Sequence, residues 1–140
     1  MFLLDTNVVS ELRKAGDGRI DSRVAAWIAA QDAASFFISA LTLMELEIGI
    51  LRIERRDHEQ GRRLRRWMDR HVLPEFAERT LPVDSSVALT CARLHVPDPR
   101  AERDALIAAT AIVHEMTIVT RDVAGFEATG VRLVNPWADI

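Results

Sequence analysis

The sequence predicts a single α/β domain built on a parallel β-sheet. The chain has 140 residues, a length that fits one domain over residues 1–140, and it contains no repeat, low-complexity run or linker rich in proline and glycine. Short apolar segments of strand length alternate with longer segments of helical periodicity, which is the pattern of α/β proteins. The apolar segments are continuous rather than interleaved with polar residues, so we expect helices to cover both faces of the sheet.

Five segments are predicted as strands. The third contains Pro82, which favours the edge of the sheet because proline cannot donate a hydrogen bond to a neighbouring strand. The predicted strands are Met1–Leu4, Ser35–Ser39, Thr80–Val83, Thr117–Thr120 and Val131–Val134.

Six segments are predicted as helices from their apolar periodicity. They are Val8–Lys14, Ser22–Gln31, Thr42–Arg56, Asp57–His71, Ser85–His95 and Glu102–Glu115. Ser85 or Ser86 is expected to cap the fifth of these helices, because serine favours that position. The core-facing side predicted for the third helix consists of Leu41, Met44, Ile48 and Leu51.

Composition excludes several classes of protein. Cys91 is the only cysteine, so neither an intrachain disulfide nor a zinc site made of cysteines is expected, which fits a reducing compartment. The apolar run that begins the sequence ends at Asp5 and is too short for a signal peptide, and no segment has the length of a membrane span. We therefore predict a cytoplasmic protein without a membrane segment. The formal net charge of −3 does not by itself indicate a nucleic-acid-binding protein.

Four carboxylates occupy positions that point to a site. Asp5 and Asp122 follow the first and fourth predicted strands, and ligands of open parallel sheets bind beyond such strand ends. Glu45 lies in the first turns of the helix that follows the second strand. Each acid alone is more readily explained as a helix cap or surface charge. The joint pattern favours a metal site, because clustered acids need a counter-charge and Lys14 is the only lysine.

Helix geometry separates Glu45 from its neighbour Glu47. Glu45 shares a helix face with Gly49, and we expect the glycine to let this helix approach the sheet closely and turn Glu45 inward. Glu47 lies about 200° around the helix from Glu45 and is expected to face solvent. Asp104 shares a face with Ile107 and the small residues of the same helix, Ala108 and Ala111, which permits close packing beneath it.

The motifs around these acids resemble those of a known family. The segments are Leu3–Asn7, Glu45–Leu46 followed by Gly49, Asp104–Ala111 and Thr120–Asp122. In this order and spacing they resemble the four signature segments of bacterial PIN-domain toxins of the VapC type. The closing Asn135-Pro136-Trp137 is similar to the FitB-like subgroup of these toxins.

The resemblance implies a fold, a site and an activity. The fold would be a five-stranded parallel sheet in the order 3-2-1-4-5, flanked by helices. Asp104, whose place helix direction alone does not fix, would join Asp5, Glu45 and Asp122 as catalytic residues and metal ligands, supported by Asn7 and Thr120. The activity would be that of a Mg²⁺- or Mn²⁺-dependent endoribonuclease acting on structured RNA such as tRNA or rRNA.

The same resemblance implies partners. Toxins of this type are usually encoded with a small VapB-like antitoxin that blocks the site and binds operator DNA. The resemblance also favours a homodimer and a larger toxin–antitoxin assembly.

The predicted site chemistry follows from its all-oxygen donors. Anionic oxygen ligands select a hard cation, which lowers the pKa of bound water and screens the charge of a phosphate. The resemblance suggests that the 3′-oxygen leaves, so that the product carries a 5′-phosphate. No histidine base is needed, and none of the four histidines has an obvious partner in the sequence.

A basic stripe lies in the middle of the chain. Residues 52–70 contain eight arginines and four acids, a local net charge of +4 that leaves −7 for the remainder. Arg63, Arg66 and Arg70 fall on one helical stripe, which we predict to bind RNA phosphates. A solvated helix face and a surface for an acidic antitoxin segment are the alternatives.

Two other functions remain open from the sequence. A phosphoaspartyl phosphatase with Asp5 as nucleophile usually has a second acid two residues later, where this chain has Asn7, and a lysine for which the chain offers no candidate. A PIN-like scaffold that only binds a protein or RNA partner is the non-enzymatic alternative. Retention of all four acids argues against it.

Overall fold

The computed structural model describes residues 1–138 and contains one five-stranded, fully parallel sheet. The strands are β1 (Phe2–Leu4), β2 (Phe36–Ser39), β3 (Thr80–Leu81), β4 (Thr117–Val119) and β5 (Leu133–Val134). Their order is β3-β2-β1-β4-β5, which confirms the predicted order and the edge position of the third strand. Pro82 follows β3 directly, where its missing N–H costs no sheet hydrogen bond.

In the part of the chain that the structure describes, seven α-helices connect the strands. They are α1 (Thr6–Leu12), α2 (Ser22–Ala29), α3 (Ala40–Arg56), α4 (His58–Trp67), α5 (Leu73–Glu75), α6 (Ser85–Leu94) and α7 (Glu102–Val113). Short 3₁₀ turns follow α1 and precede β2 and β5. Within residues 1–138, no helix combines the length and apolarity that crossing a bilayer requires.

Apolar side chains pack on both faces of the sheet, as the continuous apolar strands predicted. Leu4 belongs to a core cluster with residues of α1 to α4, and its neighbour Leu3 belongs to a second cluster with residues of α7. Both leucines are fully buried. Leu3 and Leu4 therefore pack against helices on opposite faces of the sheet. This packing holds the carboxyl end of β1, and with it Asp5, in a fixed position.

Helix α3 presents a different face to the core from the one predicted. Its buried positions are Thr42, Leu46 and Ile50, whereas Met44 and Leu51 are 40% and 49% exposed. The apolar residues at 41, 44, 48 and 51 do lie on one stripe of the helix. Hydrophobic spacing alone could not show that α4 and the sheet instead cover the neighbouring stripe, which contains Thr42, Leu46 and Ile50.

The predicted helix Asp57–His71 is interrupted. Asp57 caps α4 by accepting a hydrogen bond from the backbone N–H of Gln60, and α4 ends at Trp67. A π-helical turn follows at Met68–Val72, in which the N–H of Leu73 reaches the carbonyl of Met68. Pro74 explains the widened turn, because proline lacks an N–H and its ring clashes with the carbonyl four residues earlier.

Helices α1 and α6 begin in a way that differs from the prediction, because an aspartate side chain caps each of them. Helix α1 begins at Thr6 rather than Val8, since the Asp5 carboxylate accepts the Thr6 N–H at 2.8 Å. Helix α6 is capped by Asp84, which accepts the Val87 N–H at 3.0 Å, and not by Ser85 or Ser86. Asparagine, aspartate and serine compete as caps, and here the acid precedes the serines.

Helices α3 and α4 form a hairpin held by one arginine. Arg65 donates to both oxygens of Glu47 at 2.6 and 2.8 Å and to Glu54 at 3.1 Å. Gly61 of α4 lies so close to α3 that a Cβ there would stand 2.7 Å from the Cα of Glu54. The side chain of Glu47 is 39% exposed, so the prediction that it faces solvent holds only in part.

Candidate functional site

The site lies where the strand order reverses between β1 and β4. The chain runs outward from β1 through β2 to β3, and later from β4 to β5 on the other side. Leu4 pairs with Val119, and the N–H of Asp5 donates to the carbonyl of Val119 at 2.9 Å. The residues that follow these two strands are therefore neighbours, as the switch-point argument predicted.

Asp5 is the most enclosed of the four acids. Its side chain accepts hydrogen bonds from the Thr120 hydroxyl at 2.8 Å, the Thr6 N–H at 2.8 Å and the Asn7 amide at 3.4 Å. The residue is 7% exposed. Burial raises the pKa of Asp5, the hydrogen bonds from Thr120 and Thr6 oppose the rise, and the charge of Asp122 adds to it.

Thr120 and Asn7 join the ends of β1 and β4. The fully buried Thr120 hydroxyl, besides donating to Asp5, accepts the N–H of Asp122 at 3.0 Å. The Asn7 side chain accepts the N–H of Arg121 at 3.3 Å. The two residues that the resemblance assigned to polar support thus hydrogen-bond the backbone that carries Asp122.

Glu45 is held by a residue of α1. The Thr6 hydroxyl donates to Oε1 of Glu45 at 2.9 Å and stands 3.5 Å from the hydroxyl of Thr42. Gly49 plays no part in this, because it is exposed and a Cβ there would meet nothing within 4 Å. The predicted reason for Glu45 turning inward, a close helix approach at Gly49, is therefore wrong.

Asp104 lies in the first turn of α7 above a buried floor. Ile107, Ala108 and Ala111 are each no more than 1% exposed, as their shared helical face predicted. Burial raises the pKa of Asp104, and the charges of Asp5, Asp122 and Glu45 raise it further. Asp104 thus lies within electrostatic range of all three other acids.

The side chain of Asp122 is positioned by the turn after it. Its Oδ1 accepts the N–H of Gly125 at 3.1 Å. A Cβ at position 125 would stand 2.5 Å from Oδ2 of Asp122, so only glycine leaves the carboxylate in this place.

The four acids are neighbours rather than a finished coordination cage. No three carboxylate, imidazole or thiol groups in residues 1–138 stand together at metal-ligand spacing. The donor set nevertheless fits Mg²⁺ or Mn²⁺, since these hard cations prefer carboxylate oxygens and Mg²⁺ keeps several waters beside one or two carboxylates. Burial is the main cause that raises the pKa values of Asp5 and Asp104, and neighbouring carboxylates raise both further, a repulsion that a bound cation would offset.

Three residues at the site were not identified from the sequence. Thr6 stands inside the first motif, and its place one residue after Asp5 is a signal that could have been used. Gly125 follows Asp122 at turn spacing. Arg103, whose Nη1 lies 3.9 Å from Oε2 of Glu45, gave no signal, because nothing in the sequence brings α7 next to α3.

The predicted arginine stripe lines a groove away from these acids. Arg63, Arg66 and Arg70 of α4 share it with Arg13 and Arg19 from the segment after α1. The groove has a volume of about 730 Å³. Helix α1 begins directly after Asp5 and spans about 10 Å, and Arg13 at its end lines the groove, so the helix runs from the carboxylates to the groove.

Known proteins resemble the chain over its full length. The PIN domain family matches residues 2–131. The VapC ribonuclease Y4jK of Sinorhizobium fredii is 38% identical over 145 aligned positions that cover 98% of both chains. Toxin FitB of Neisseria gonorrhoeae is 35% identical over 144 positions, which cover 99% of this chain and 100% of FitB. The solved structure of FitAB bound to an IR36 DNA fragment is similar with a TM-score of 0.89 at 34% identity, over 100% of this chain and 98% of that one.

Proposed function

This chain belongs to the PIN-domain family, as its sequence motifs predicted, and on that premise we propose that it is the endoribonuclease toxin of a type II toxin–antitoxin pair. The observation that carries the proposal is the grouping of the acids at the ends of β1 and β4: Thr120 hydrogen-bonds both Asp5 and the N–H of Asp122, and Thr6 hydrogen-bonds both Asp5 and Glu45. Burial and the charges of these three acids raise the pKa of Asp104. Such a cluster is costly without a cation and suits a metal-dependent phosphodiesterase. The relative named VapC ribonuclease supports the ribonuclease activity, and the relative named toxin FitB supports the role as a toxin.

The proposed site holds Mg²⁺ or Mn²⁺ through Asp5, Glu45, Asp104 and Asp122. A cation held by these residues would supply Lewis acidity, which would make bound water a better nucleophile and offset the charge of the phosphate. Thr120 and Thr6 orient the carboxylates of Asp5 and Glu45 through their hydroxyls. Gly125 leaves space for the carboxylate of Asp122 and donates a backbone hydrogen bond to it. These side chains thereby fix the acids before substrate arrives, which reduces the reorganisation needed for reaction.

The proposed substrate is a structured RNA, tRNA or rRNA. The groove with Arg13, Arg63, Arg66 and Arg70 concentrates positive charge in a molecule whose net charge is −3. In the described part of the chain, none of these four arginines forms an ion pair with a carboxylate, so their charges remain available to phosphates. Arg63 donates one hydrogen bond to the side-chain oxygen of Gln60 at 2.8 Å, a neutral acceptor that leaves its charge uncompensated.

The proposed partner is a small VapB-like antitoxin that also binds operator DNA. FitAB, whose FitB chain this protein resembles, has been solved bound to a DNA fragment. We infer that the antitoxin places a cationic side chain among the four acids, because guanidinium matches carboxylates in shape and charge. Cleavage by the purified pair should rise when the two proteins are separated, and equal activity in both states would contradict inhibition at the site.

Self-association and location belong to the same proposal. Met44 and Leu51 form an exposed apolar stripe on α3, which suits a homodimer within a larger toxin–antitoxin assembly. The proposed compartment is the cytoplasm, where tRNA, rRNA and a co-encoded antitoxin are all present.

The proposal is tested by mapping RNA ends after induction of the protein in cells. New 5′-phosphate ends at a few sites in tRNA or rRNA are expected with the wild type and absent with Asp104→Asn. Purified protein should reproduce the same cuts with Mn²⁺ and lose them with chelator. A protein that binds RNA or antitoxin but yields no new ends in either assay would be a scaffold. Release of phosphate from small phosphate esters instead of RNA cleavage would indicate a phosphatase.

A further inference from the structure

Arg103 stands at the rim of the carboxylate site. It lies in the first turn of α7, directly before Asp104, and its side chain is 51% exposed. Its Nη1 is 3.9 Å from Oε2 of Glu45, which is an ion-pair distance but too long for a hydrogen bond. In residues 1–138, no side chain or carbonyl accepts a hydrogen bond from this guanidinium, and its Nη1 lies on the side of Glu45.

The carboxylate of Glu45 faces two different groups. Thr6 donates to Oε1 at 2.9 Å and holds the side chain from α1, whereas Oε2 faces Arg103. Among the described residues, Asp5, Asp104 and Asp122 have no arginine or lysine within ion-pair distance. Arg103 is therefore the cation that the chain itself brings to the site.

The other arginine beside a site acid is engaged elsewhere. Arg121 precedes Asp122 in the same way that Arg103 precedes Asp104, but its guanidinium packs 5.3 Å from the centre of the Trp137 ring. The two arginines show that a position next to an acid does not by itself bring a guanidinium into the site.

The geometry at Glu45 is not that of a dedicated counter-charge. Where this chain uses arginine as a structural partner, Arg65 forms two short bonds to one carboxylate, at 2.6 and 2.8 Å to Glu47. The single loose contact of Arg103 leaves its donors free. A guanidinium fork binds two phosphate oxygens as well as it binds two carboxylate oxygens. An RNA phosphate approaching four negative charges also requires positive charge at the entrance.

We propose that Arg103 binds the phosphodiester group of RNA that enters the carboxylate site. This inference rests on the proposed ribonuclease function and adds a substrate-binding residue to it. Arg103 exchanges its loose contact with Glu45 for hydrogen bonds to non-bridging phosphate oxygens. It thereby places the phosphate next to the carboxylates, and Glu45 becomes free to bind the cation.

The first experiment measures binding of bulk tRNA to metal-free protein in chelator, where no cleavage occurs. Arg103→Ala should bind about tenfold more weakly than wild type, since a hydrogen bond to a charged group is worth about 1.5 kcal/mol. The slope of log affinity against log salt concentration should decrease by about one unit, which corresponds to one lost phosphate contact. Arg103→Lys should recover the salt dependence but only part of the affinity, because ammonium lacks the fork.

Arg55→Ala is the matched control. This substitution removes the same charge as Arg103→Ala. Arg55 is exposed and lies ten residues after Glu45 in α3, about 15 Å along the helix axis. It should bind tRNA like the wild type at moderate salt. Equal melting temperatures for Arg103→Ala, Arg55→Ala and wild type would establish that folding is not the cause of any difference.

Kinetics with Mn²⁺ provide the second readout. With the RNA that wild type cuts, Arg103→Ala should raise KM, and Arg103→Lys should restore part of the loss. If Arg103→Ala matched Arg55→Ala in tRNA affinity, salt dependence and KM, the inference would be overturned. It would also be overturned if Arg103→Ala only tightened Mn²⁺ binding, which would make the arginine a counter-charge for Glu45. A wild type that cuts no RNA would instead remove the proposed function itself.

Discussion

At the residue scale, the site consists of acids whose positions are set by their immediate neighbours. Thr6 and Thr120 each hold one carboxylate through a hydroxyl, and Gly125 makes room for a third. The chemistry therefore depends on small residues beside the acids as well as on the acids themselves. Changes at these positions should alter activity more than they alter stability.

Glu45 and Glu47 should respond differently to the same substitution. Glu45→Gln should abolish RNA cleavage, because Oε1 is held by Thr6 towards the other three acids. Glu47→Gln should cleave at close to the wild-type rate, because Glu47 pairs with Arg65 on α4 instead. Its unfolding free energy should fall by no more than about 1 kcal/mol, since the pair is partly exposed. An inactive Glu47→Gln protein with native stability would show that the assignment is reversed.

Gly125→Ala should inactivate the protein without unfolding it. The added Cβ meets the Asp122 carboxylate at 2.5 Å, and the side chain can swing away because it is flexible. A displacement of about 1 Å at a reacting group can lower the rate about a hundredfold. The measurement is RNA cleavage together with thermal melting. Gly16→Ala, where the Cβ meets nothing within 4 Å, is the control that should cleave normally. Full activity in Gly125→Ala would mean that Asp122 need not occupy this position.

At the element scale, the hairpin of α3 and α4 joins the site to the basic groove. Helix α3 carries Glu45 near its start, and α4 carries Arg63, Arg66 and Arg70. Arg65 and the close contact at Gly61 fix one helix against the other. The spacing of the two surfaces is therefore set by this hairpin.

Two helical glycines should respond in opposite directions to alanine. Gly61→Ala should destabilise the fold by about 1–3 kcal/mol, because the new Cβ overlaps the backbone of α3 at Glu54. Gly49→Ala should stabilise it by about 0.5–1 kcal/mol, because Gly49 is exposed and meets nothing within 4 Å. Urea unfolding measures both. Stabilisation by Gly61→Ala would show that α3 and α4 do not pack this closely.

The arginine stripe should contribute to RNA affinity by releasing counterions. Arg63→Ala combined with Arg66→Ala should reduce the slope of binding against salt by about one unit for each lost phosphate contact. The assay measures tRNA binding across a salt series in chelator. The paired control, Arg52→Ala with Arg55→Ala on α3, removes the same charge outside the groove. A slope equal to that of the control would assign the stripe to the antitoxin or to solvent.

At the scale of the whole molecule, the sequence predicted the sheet better than the surfaces of its helices. Continuous apolar strands predicted a parallel sheet covered on both faces, Pro82 predicted the edge position of the third strand, and the family resemblance supplied the strand order. The core face of α3 could not be read from periodicity, because its exposed and buried stripes are both apolar. The π-turn at Met68–Val72 could have been anticipated from Pro74.

At the site, too, the residues that local sequence patterns mark were predicted, and the contacts between distant parts of the chain were not. The placements of Asp5 and Asp122 follow from strand ends that the sequence marks clearly. Glu45 was selected for a wrong reason, since Thr6 rather than Gly49 holds it. Arg103 reaches the site only because α7 packs beside α3 in the folded chain, and no local pattern records that contact.

The metal-free fold should be strained by its own acids. The pKa of Asp104 is raised by burial and by three neighbouring charges, so its ionised form disfavours the folded state as the pH rises through that pKa. Asp104→Asn removes one of these charges. Without metal at neutral pH, this variant should therefore melt no lower than wild type.

The most direct test of a four-carboxylate metal site is the melting temperature of wild type and Asp104→Asn with and without Mn²⁺. A cation that binds only the folded site at a hundred times its dissociation constant stabilises the protein by about 2.7 kcal/mol. Wild type should melt higher with Mn²⁺ than with matched ionic strength or Ca²⁺, and Asp104→Asn should gain little and cut no RNA. An undiminished Mn²⁺ shift in Asp104→Asn would remove Asp104 from the site and contradict the account.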